Sequence, residues 1–166
     1  MGVAVETSLH DQIDLKILDE LQSDSTWSNQ ALAERVHVSP ATCLRRVRRL
    51  REAGLIERQV AILQVDRLAA ITGHGISAIV EITLERQGSE LLDAFETKAC
   101  SEVAVQQCYR VSPGPDFVLV LHARDMPAYL ALAQRLFTLD ANVRNVKAYF
   151  SLKRAKFDPR VALRDK

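Results

Sequence analysis

The spacing of hydrophobic residues predicts three short helices in the first third of the chain. Apolar side chains recur every three or four positions between polar ones, which is the pattern of a helix with one buried face. Asp11, Ser28 and Ser39 stand just before the three stripes and can cap the helices, and Gly54 can end the last helix. The stripes are Ile13, Ile17, Leu18 and Leu21 within residues 10–22, then Leu32, Ala33 and Val36, then Leu44, Val47 and Leu50.

After Gly54 the pattern changes. Residues 55–63 read as extended and predict a wing-like strand or a connector between domains. The stretch from residue 66 to residue 75 ends in Gly73-His74-Gly75, which predicts a flexible break. We expect the boundary between two domains there.

The second half alternates between strand-like and helix-like patterns. The expected order, strand-helix-strand-strand-helix-strand, is the ferredoxin-like βαββαβ arrangement, and the whole chain is then an α+β protein. Helices would cover one face of the sheet. The other face carries apolar residues such as Ile79, which a second copy of the chain would bury, so we expect a dimer.

The boundaries of these elements follow from the same patterns. We expect strands at residues 76–84, 103–111, 117–123 and 143–152, a helix at residues 89–99, and a second helix after the cap Asp125. One side of the second strand should hold Val103, Val105, Tyr109 and Val111, and one side of the last helix Tyr129, Leu130, Ala133, Leu136 and Phe137.

The charged residues of the third predicted helix indicate its function. Six arginines and no acidic residue lie between Arg35 and Arg51, although the whole chain has a net charge of only +1. A helix that is merely solvated is the alternative, but such helices usually mix the two signs. A helix, a tight turn and a capped basic helix form a helix-turn-helix signature, which predicts docking on double-stranded DNA.

Within this signature, the amino-terminal part of the third helix should face the edges of the bases. We expect Ala41, Thr42, Arg45 and Arg46 at base edges, Arg48, Arg49 and Arg51 at phosphates or in solvent, and Ser28, Gln30 and Ser39 at the DNA backbone.

Residue chemistry argues against several other classes of protein. Three cysteines without paired spacing favour neither a disulfide framework nor a zinc site. Four scattered histidines, with no phosphate-binding loop or nucleophile motif, predict no enzyme, cofactor or metal. The polar residues 1–10, and the lack of an apolar run of about 20 residues, predict a cytoplasmic protein without a membrane partner.

Several motifs resemble the Lrp/AsnC family, the leucine-responsive and asparagine-responsive feast/famine regulators. The resemblance extends from about Asp11 to Lys153. The matching segments are Asp11-x-x-Asp14-x-x-Ile17-Leu18, Ser28-Asn29 with residues 32–36, the recognition helix at residues 38–50, Ala53-Gly54-Leu55-Ile56, and Val80-Glu81-Ile82.

This resemblance implies a regulator that binds operator DNA as a dimer or a larger assembly, often an octamer built as a tetramer of dimers. It also implies that the second domain assembles the protein and binds a small molecule, usually an amino acid, near the loop between the second and third strands. By position in the family, the pocket residues are Ser112, Gly114, Asp116, Met126, Tyr149, Phe150 and Ser151.

The loop itself departs from the family pattern S-G-D-[FY]-D-[FY]. Residues 112–117 read Ser-Pro-Gly-Pro-Asp-Phe, so Gly114 replaces the first Asp, and two prolines remove backbone donors that would suit an effector carboxylate. Arg110, close by, could hold a carboxylate with its two-pronged guanidinium, but a solvated strand residue is the favoured interpretation.

The sequence therefore predicts a DNA-binding transcriptional regulator modulated by a small molecule, with an amino acid favoured. An architectural DNA-binding protein of the same fold without effector control is the alternative, and an enzyme on a ferredoxin-like fold is less favoured. The expected division is a helix-turn-helix domain at residues 8–58, a connector at 59–75, an effector and oligomerisation domain at 76–153, and a basic tail, expected to be frayed, at 154–166.

Overall fold

The computed structural model describes residues 11–73 and 75–163, and these form two compact units. The first unit contains the chain up to Ile62 together with the residues from Phe157 onward, and the second contains Leu63–Lys156. The predicted helix start at His10, the predicted break at His74 and the last three tail residues lie outside the described residues. The first unit contains α1 (Gln12–Ser23), α2 (Asn29–Arg35) and α3 (Pro40–Glu52).

The three helices of the first unit begin at the predicted caps. The Asp11 carboxylate accepts hydrogen bonds from the backbone N–H groups of Ile13 and Asp14, both at 3.0 Å. Ser28 and Ser39 cap α2 and α3 in the same way. The helices enclose a buried core of Ile17, Leu32, Ala33, Val36, Cys43, Val47 and Leu50.

One predicted core position in α3 is wrong. Leu44 is 60% exposed, whereas Cys43 is fully buried. Positions 43, 47 and 50 follow the four-then-three spacing of a single helix face, and residue 44 lies about 100° further round the helix. Leu44 is therefore part of the outer surface of this helix.

The region between the two domains also differs from the prediction. Residues 55–63 have no regular secondary structure, so of the two predicted alternatives the strand is excluded and the connector remains. A further helix, α4 (Val65–Thr72), which was not predicted, directly precedes the predicted break at Gly73-His74-Gly75. The glycines mark only the end of this helix, because Gly73 has a φ of 82°, which favours glycine at a helix end.

The second unit has the predicted βαββαβ order. Its elements after α4 are β1 (Ile76–Leu84), α5 (Ser89–Ser101), β2 (Val105–Arg110), β3 (Phe117–Ala123), α6 (Met126–Ala133), a π-helical turn at Gln134–Thr138, and β4 (Val143–Phe150). The strands pair antiparallel in the order β2-β3-β1-β4. Helix residues such as Phe95, Leu132 and Leu136 pack on alternate sheet residues such as Val80 and Leu119. The α+β fold and the ferredoxin-like topology are confirmed.

Two details of this unit differ from the predicted faces. The register of β2 shifts between Val105 and Gln107, so Val105 and Cys108 pack on the core while Tyr109 is 51% exposed on the opposite face. Val103 precedes the strand and is fully exposed. Leu130 of α6 is also exposed, and Leu132 is buried in its place.

The tail is not frayed over its described part. The side-chain amide of Gln22 donates to the carbonyl oxygen of Val161 at 2.9 Å and accepts from the Val161 N–H at 2.9 Å. This pair of hydrogen bonds docks the carboxyl-terminal segment on α1 within the first unit. The segment and residues 55–62 line a groove of about 850 Å³.

Candidate nucleic-acid interface and effector site

The exposed side of α3 is a stripe one helix face wide. Ala41, Leu44, Arg45 and Arg48 are exposed, and their spacing places them on consecutive turns of one surface. We call these four residues the outer stripe of α3. Within the described part of the chain, no carboxylate pairs with Arg45. Arg48 contacts Glu52 at 2.8 Å, but both side chains are mostly exposed, and such a pair contributes little to stability. Both guanidinium groups can therefore contact a polyanion.

Two other arginines of α3, Arg46 and Arg49, turn inward toward α1. Arg46 Nη1 lies 2.8 Å from Asp11 Oδ1 and 2.9 Å from Asp14 Oδ1. Arg49 also pairs with Asp14, which is completely buried. The sequence-based placement of Arg46 at base edges and of Arg49 at phosphates is therefore corrected: the structure uses both to hold α3 against α1.

A polar residue in a helical apolar stripe is the signal that could have revealed this cluster. Asp14 falls in register with Ile17, Leu18 and Leu21 of α1, so its carboxylate must enter the domain. A buried carboxylate requires cationic or hydrogen-bonding partners, and the inner side of α3 supplies two arginines. We call Asp11, Asp14, Arg46 and Arg49 the inner ion cluster.

The inner ion cluster has a predictable pH dependence. Hydrogen bonding from the Arg46 guanidinium holds the pKa of Asp11 below its ordinary value. The ionised Asp11 carboxylate therefore makes its full contribution to stability above the ordinary carboxyl pKa of about 3.9. This contribution is lost as the pH falls through the lower folded-state pKa.

We expect Asp11→Asn, which keeps a capping oxygen but not the charge, to weaken the pH dependence of stability below about pH 4. Urea unfolding at several acidic pH values measures this effect. If the variant and the parent lose stability in parallel as the pH falls, the pairing of Asp11 with Arg46 has no energetic role.

The remaining predicted DNA contacts lie around the start of α3. Ser39 is exposed, and its hydroxyl donates to Thr42 Oγ1 at 2.9 Å, while Thr42 is half-buried. The Asn29 side chain donates to the Pro40 carbonyl at 2.9 Å, which joins the first turn of α2 to that of α3. The exposed Ser28 and Gln30 of that α2 turn therefore lie near the start of α3.

The predicted effector residues form two groups at opposite ends of the sheet. Phe117 pairs with Ile82, and Phe150 pairs with Ala78, so the two groups are separated by four residues of β1, or about 13 Å. Within one chain they do not form one pocket. The first group is Arg110, Ser112, Gly114 and Asp116, and the second is Met126, Tyr149, Phe150 and Ser151.

Two members of the first group already have partners. Asp116 Oδ2 accepts the Leu84 N–H at 2.7 Å, so this carboxylate fixes the loop to the end of β1. The Arg110 guanidinium lies 2.6 Å from Asp93 and 2.7 Å from Glu96. The prediction that Arg110 grips an effector carboxylate is corrected, because this residue is on the helix-facing side of β2, where α5 supplies two acidic partners.

The sheet face opposite the helices is partly apolar. Ile79, Tyr109 and Tyr149 are each about half exposed there, and Val118 and Val120 lie between them in register. Glu81 and Lys147 face each other across β1 and β4 on the same surface. We call this surface the open sheet face.

The described residues lack two features that are typical of other classes of protein. No cluster of three or more His, Cys, Asp or Glu side chains suited to a metal ion was found in residues 11–73 and 75–163. Over the same ranges, each helix is too short or too polar to span a bilayer.

Comparison with known proteins identifies the family through both units. Residues 10–57 match the family model described as winged helix-turn-helix DNA-binding, and residues 77–161 match the Lrp/AsnC ligand binding domain. The leucine-responsive regulatory protein of Escherichia coli is 34% identical over 154 residues, which cover 93% of this chain and 92% of that protein.

Two further relatives agree. A Haemophilus influenzae protein described as an uncharacterized HTH-type transcriptional regulator is 36% identical over 153 residues, covering 92% of this chain and 89% of that protein. The crystal structure of an L-Met complex of a Neisseria meningitidis transcriptional regulator has a TM-score of 0.80 and 26% identity, covering 93% of this chain and 97% of the other. These relatives are regulators rather than enzymes. The chain therefore belongs to the Lrp/AsnC family of DNA-binding transcriptional regulators.

Proposed function

We propose that this chain reads duplex DNA with the outer stripe of α3 and that the inner ion cluster holds this helix in place. The observation that carries the proposal is the division of the arginines: Arg45 and Arg48 point outward, whereas Arg46 and Arg49 are paired with Asp14. In this arrangement Arg45, with Ala41 and Thr42, lies at base edges, and Arg48 lies at a phosphate. Ser28, Gln30 and Ser39 are placed at the DNA backbone.

We further propose that the second unit binds an amino acid between copies of the chain. The separation of about 13 Å along β1 between the two residue groups supports a site that combines Ser112, Gly114 and Asp116 of one copy with Met126 and residues 149–151 of another, because one chain does not bring them together. Relatives that are leucine-responsive or complexed with L-Met favour an apolar amino acid.

A ligand panel tests this second proposal. The twenty amino acids are added singly to the full-length protein, and its molar mass is followed by light scattering with and without bound DNA. A ligand that distinguishes assembly states must shift their populations, so at least one apolar amino acid should change the mass or the affinity for DNA. Identical profiles across the panel would contradict amino acid control.

The open sheet face supports a dimer, and we propose that such dimers assemble further into an octamer. Ile79 lies near the middle of this face, opposite Tyr149 of β4. A second copy would remove these apolar side chains from water, and this burial favours association.

We expect Ile79→Lys to leave an unpaired charge in this interface and to shift the protein to half its parental mass or less in light scattering. Leu130→Lys is the matched control, because Leu130 is exposed on α6, away from this face. An unchanged mass for Ile79→Lys would place the interface elsewhere.

Two further assignments complete the proposal. We propose residues 8–58 as the DNA-binding domain, residues 59–75, which include α4, as the connector, and residues 76–153 as the effector and assembly domain. Residues 154–166 are the proposed tail, of which Val161 is hydrogen-bonded to α1. A cytoplasmic location is supported by the nature of the DNA partner.

A further inference from the structure

The outer stripe of α3 contains two apolar residues, Ala41 and Leu44, beside its arginines. Leu44 is 60% exposed, whereas Cys43, Val47 and Leu50 of the same helix are buried in the core. The exposed Ala41 lies one turn before Leu44. Leu44 therefore forms an outward apolar surface without a role in the core of its own domain.

This apolar surface lies on the side of α3 that carries the two outward guanidinium groups. Arg45 follows Leu44 directly, and Arg48 is one turn further along the same surface. Any duplex that both arginines contact must also approach Leu44. The Leu44 side chain would then be buried against a groove of the DNA rather than against protein.

The floor of the major groove offers one apolar group to such a side chain. Among the four bases, only thymine presents a methyl group there, at C5, and aliphatic side chains discriminate by contact with it. A leucine at a cytosine or a purine edge would instead cover polar atoms without pairing them, which is unfavourable. The apolar side chain of Leu44 therefore matches the methyl group of thymine.

We propose that Leu44, supported by Ala41, selects a thymine in each half-site by contact with its C5 methyl group. This inference rests on the proposed placement of α3 in the major groove. It adds a base preference that the arginines do not supply, since Arg48 at a phosphate carries no sequence information and Arg45 favours guanine.

The experiment removes the methyl group from the DNA rather than from the protein. A duplex is first selected by the full-length protein from a random-sequence pool. Each thymine of that duplex is then replaced in turn by deoxyuridine, which pairs identically but lacks the C5 methyl. Affinities are measured by fluorescence anisotropy for the parent, for Leu44→Ala and for Leu130→Ala, a control matched in residue type and exposure.

We expect the parent to lose about fourfold in affinity at one thymine per half-site, corresponding to one buried methyl group at about 0.8 kcal/mol. Leu130→Ala should show the same loss. Leu44→Ala should bind the thymine and deoxyuridine duplexes equally, with an unchanged circular dichroism spectrum, because Leu44 makes no core contact that folding requires.

Two results would overturn the inference. If Leu44→Ala keeps the parental sensitivity to deoxyuridine, or if no thymine is sensitive in the parent, Leu44 does not read a methyl group, while the placement of α3 stands on the arginine variants. If the pool yields no enriched duplex, the proposed sequence-selective function fails, and this inference fails with it.

Discussion

Arg45→Ala is expected to lower the affinity for a selected duplex by about 30-fold or more while leaving the fold intact. A bidentate arginine–guanine pair contributes about 1–3 kcal/mol of discrimination, and a two-fold dimer loses two of them. Arg45 is exposed and takes no part in the inner ion cluster, so its removal does not disturb the helix. Anisotropy titrations with the selected and a scrambled duplex measure the loss, which should be confined to the selected one.

Two further variants show whether the loss of affinity in Arg45→Ala is specific to a base contact. Arg48→Ala should weaken binding to both duplexes alike and should reduce the slope of log affinity against log salt concentration by about 0.9 per lost phosphate contact. Arg144→Ala removes an exposed arginine of the second unit, and it should leave sequence preference unchanged. Equal losses for Arg45→Ala on both duplexes would exclude a base contact.

Asp14→Ala is expected to destabilise the first unit by about 3 kcal/mol, because it leaves the partly buried Arg49 guanidinium without its anion and Arg46 with Asp11 alone. Arg46 and Arg49 both pair with this carboxylate, which has no exposed surface. Trp27, the only tryptophan, is in the first unit, so its fluorescence during urea unfolding reports this unit. DNA affinity should fall as well, since α3 loses a contact that fixes it on α1.

Glu20→Ala is the matched control on the same helix. Glu20 pairs with Arg35 at the surface, and such pairs contribute about 1 kcal/mol or less. Adding Arg49→Met to Asp14→Ala should recover part of the lost stability, because the uncompensated charge is then removed, whereas Arg46 keeps its pair with Asp11. If Asp14→Ala costs no more than Glu20→Ala, the inner ion cluster does not hold α3.

The sequence predicted what depends on neighbouring residues. The caps Asp11, Ser28 and Ser39 act within their own first turns, so residue type and spacing were sufficient to place the starts of the helices. The order of strands and helices in the second unit followed from local periodicity in the same way.

What the sequence did not predict depends on packing between distant segments. Arg46 turns inward because Asp14, 32 residues earlier, meets it across the domain. Tyr109 faces away from Val105 because β2 shifts its register against β3. The helical pattern alone did not decide whether Cys43 or Leu44 is buried. The packing of α3 against α1 and α2 decided it.

The most direct test of the whole account is a guanine-by-guanine replacement in the selected duplex by 7-deazaguanine, which lacks the N7 acceptor in the major groove. We expect the parent to lose affinity at one guanine per half-site, and Arg45→Ala to be indifferent at that guanine while remaining folded. If Arg45→Ala keeps the parental sensitivity at every guanine, the outer stripe of α3 does not read the base edges.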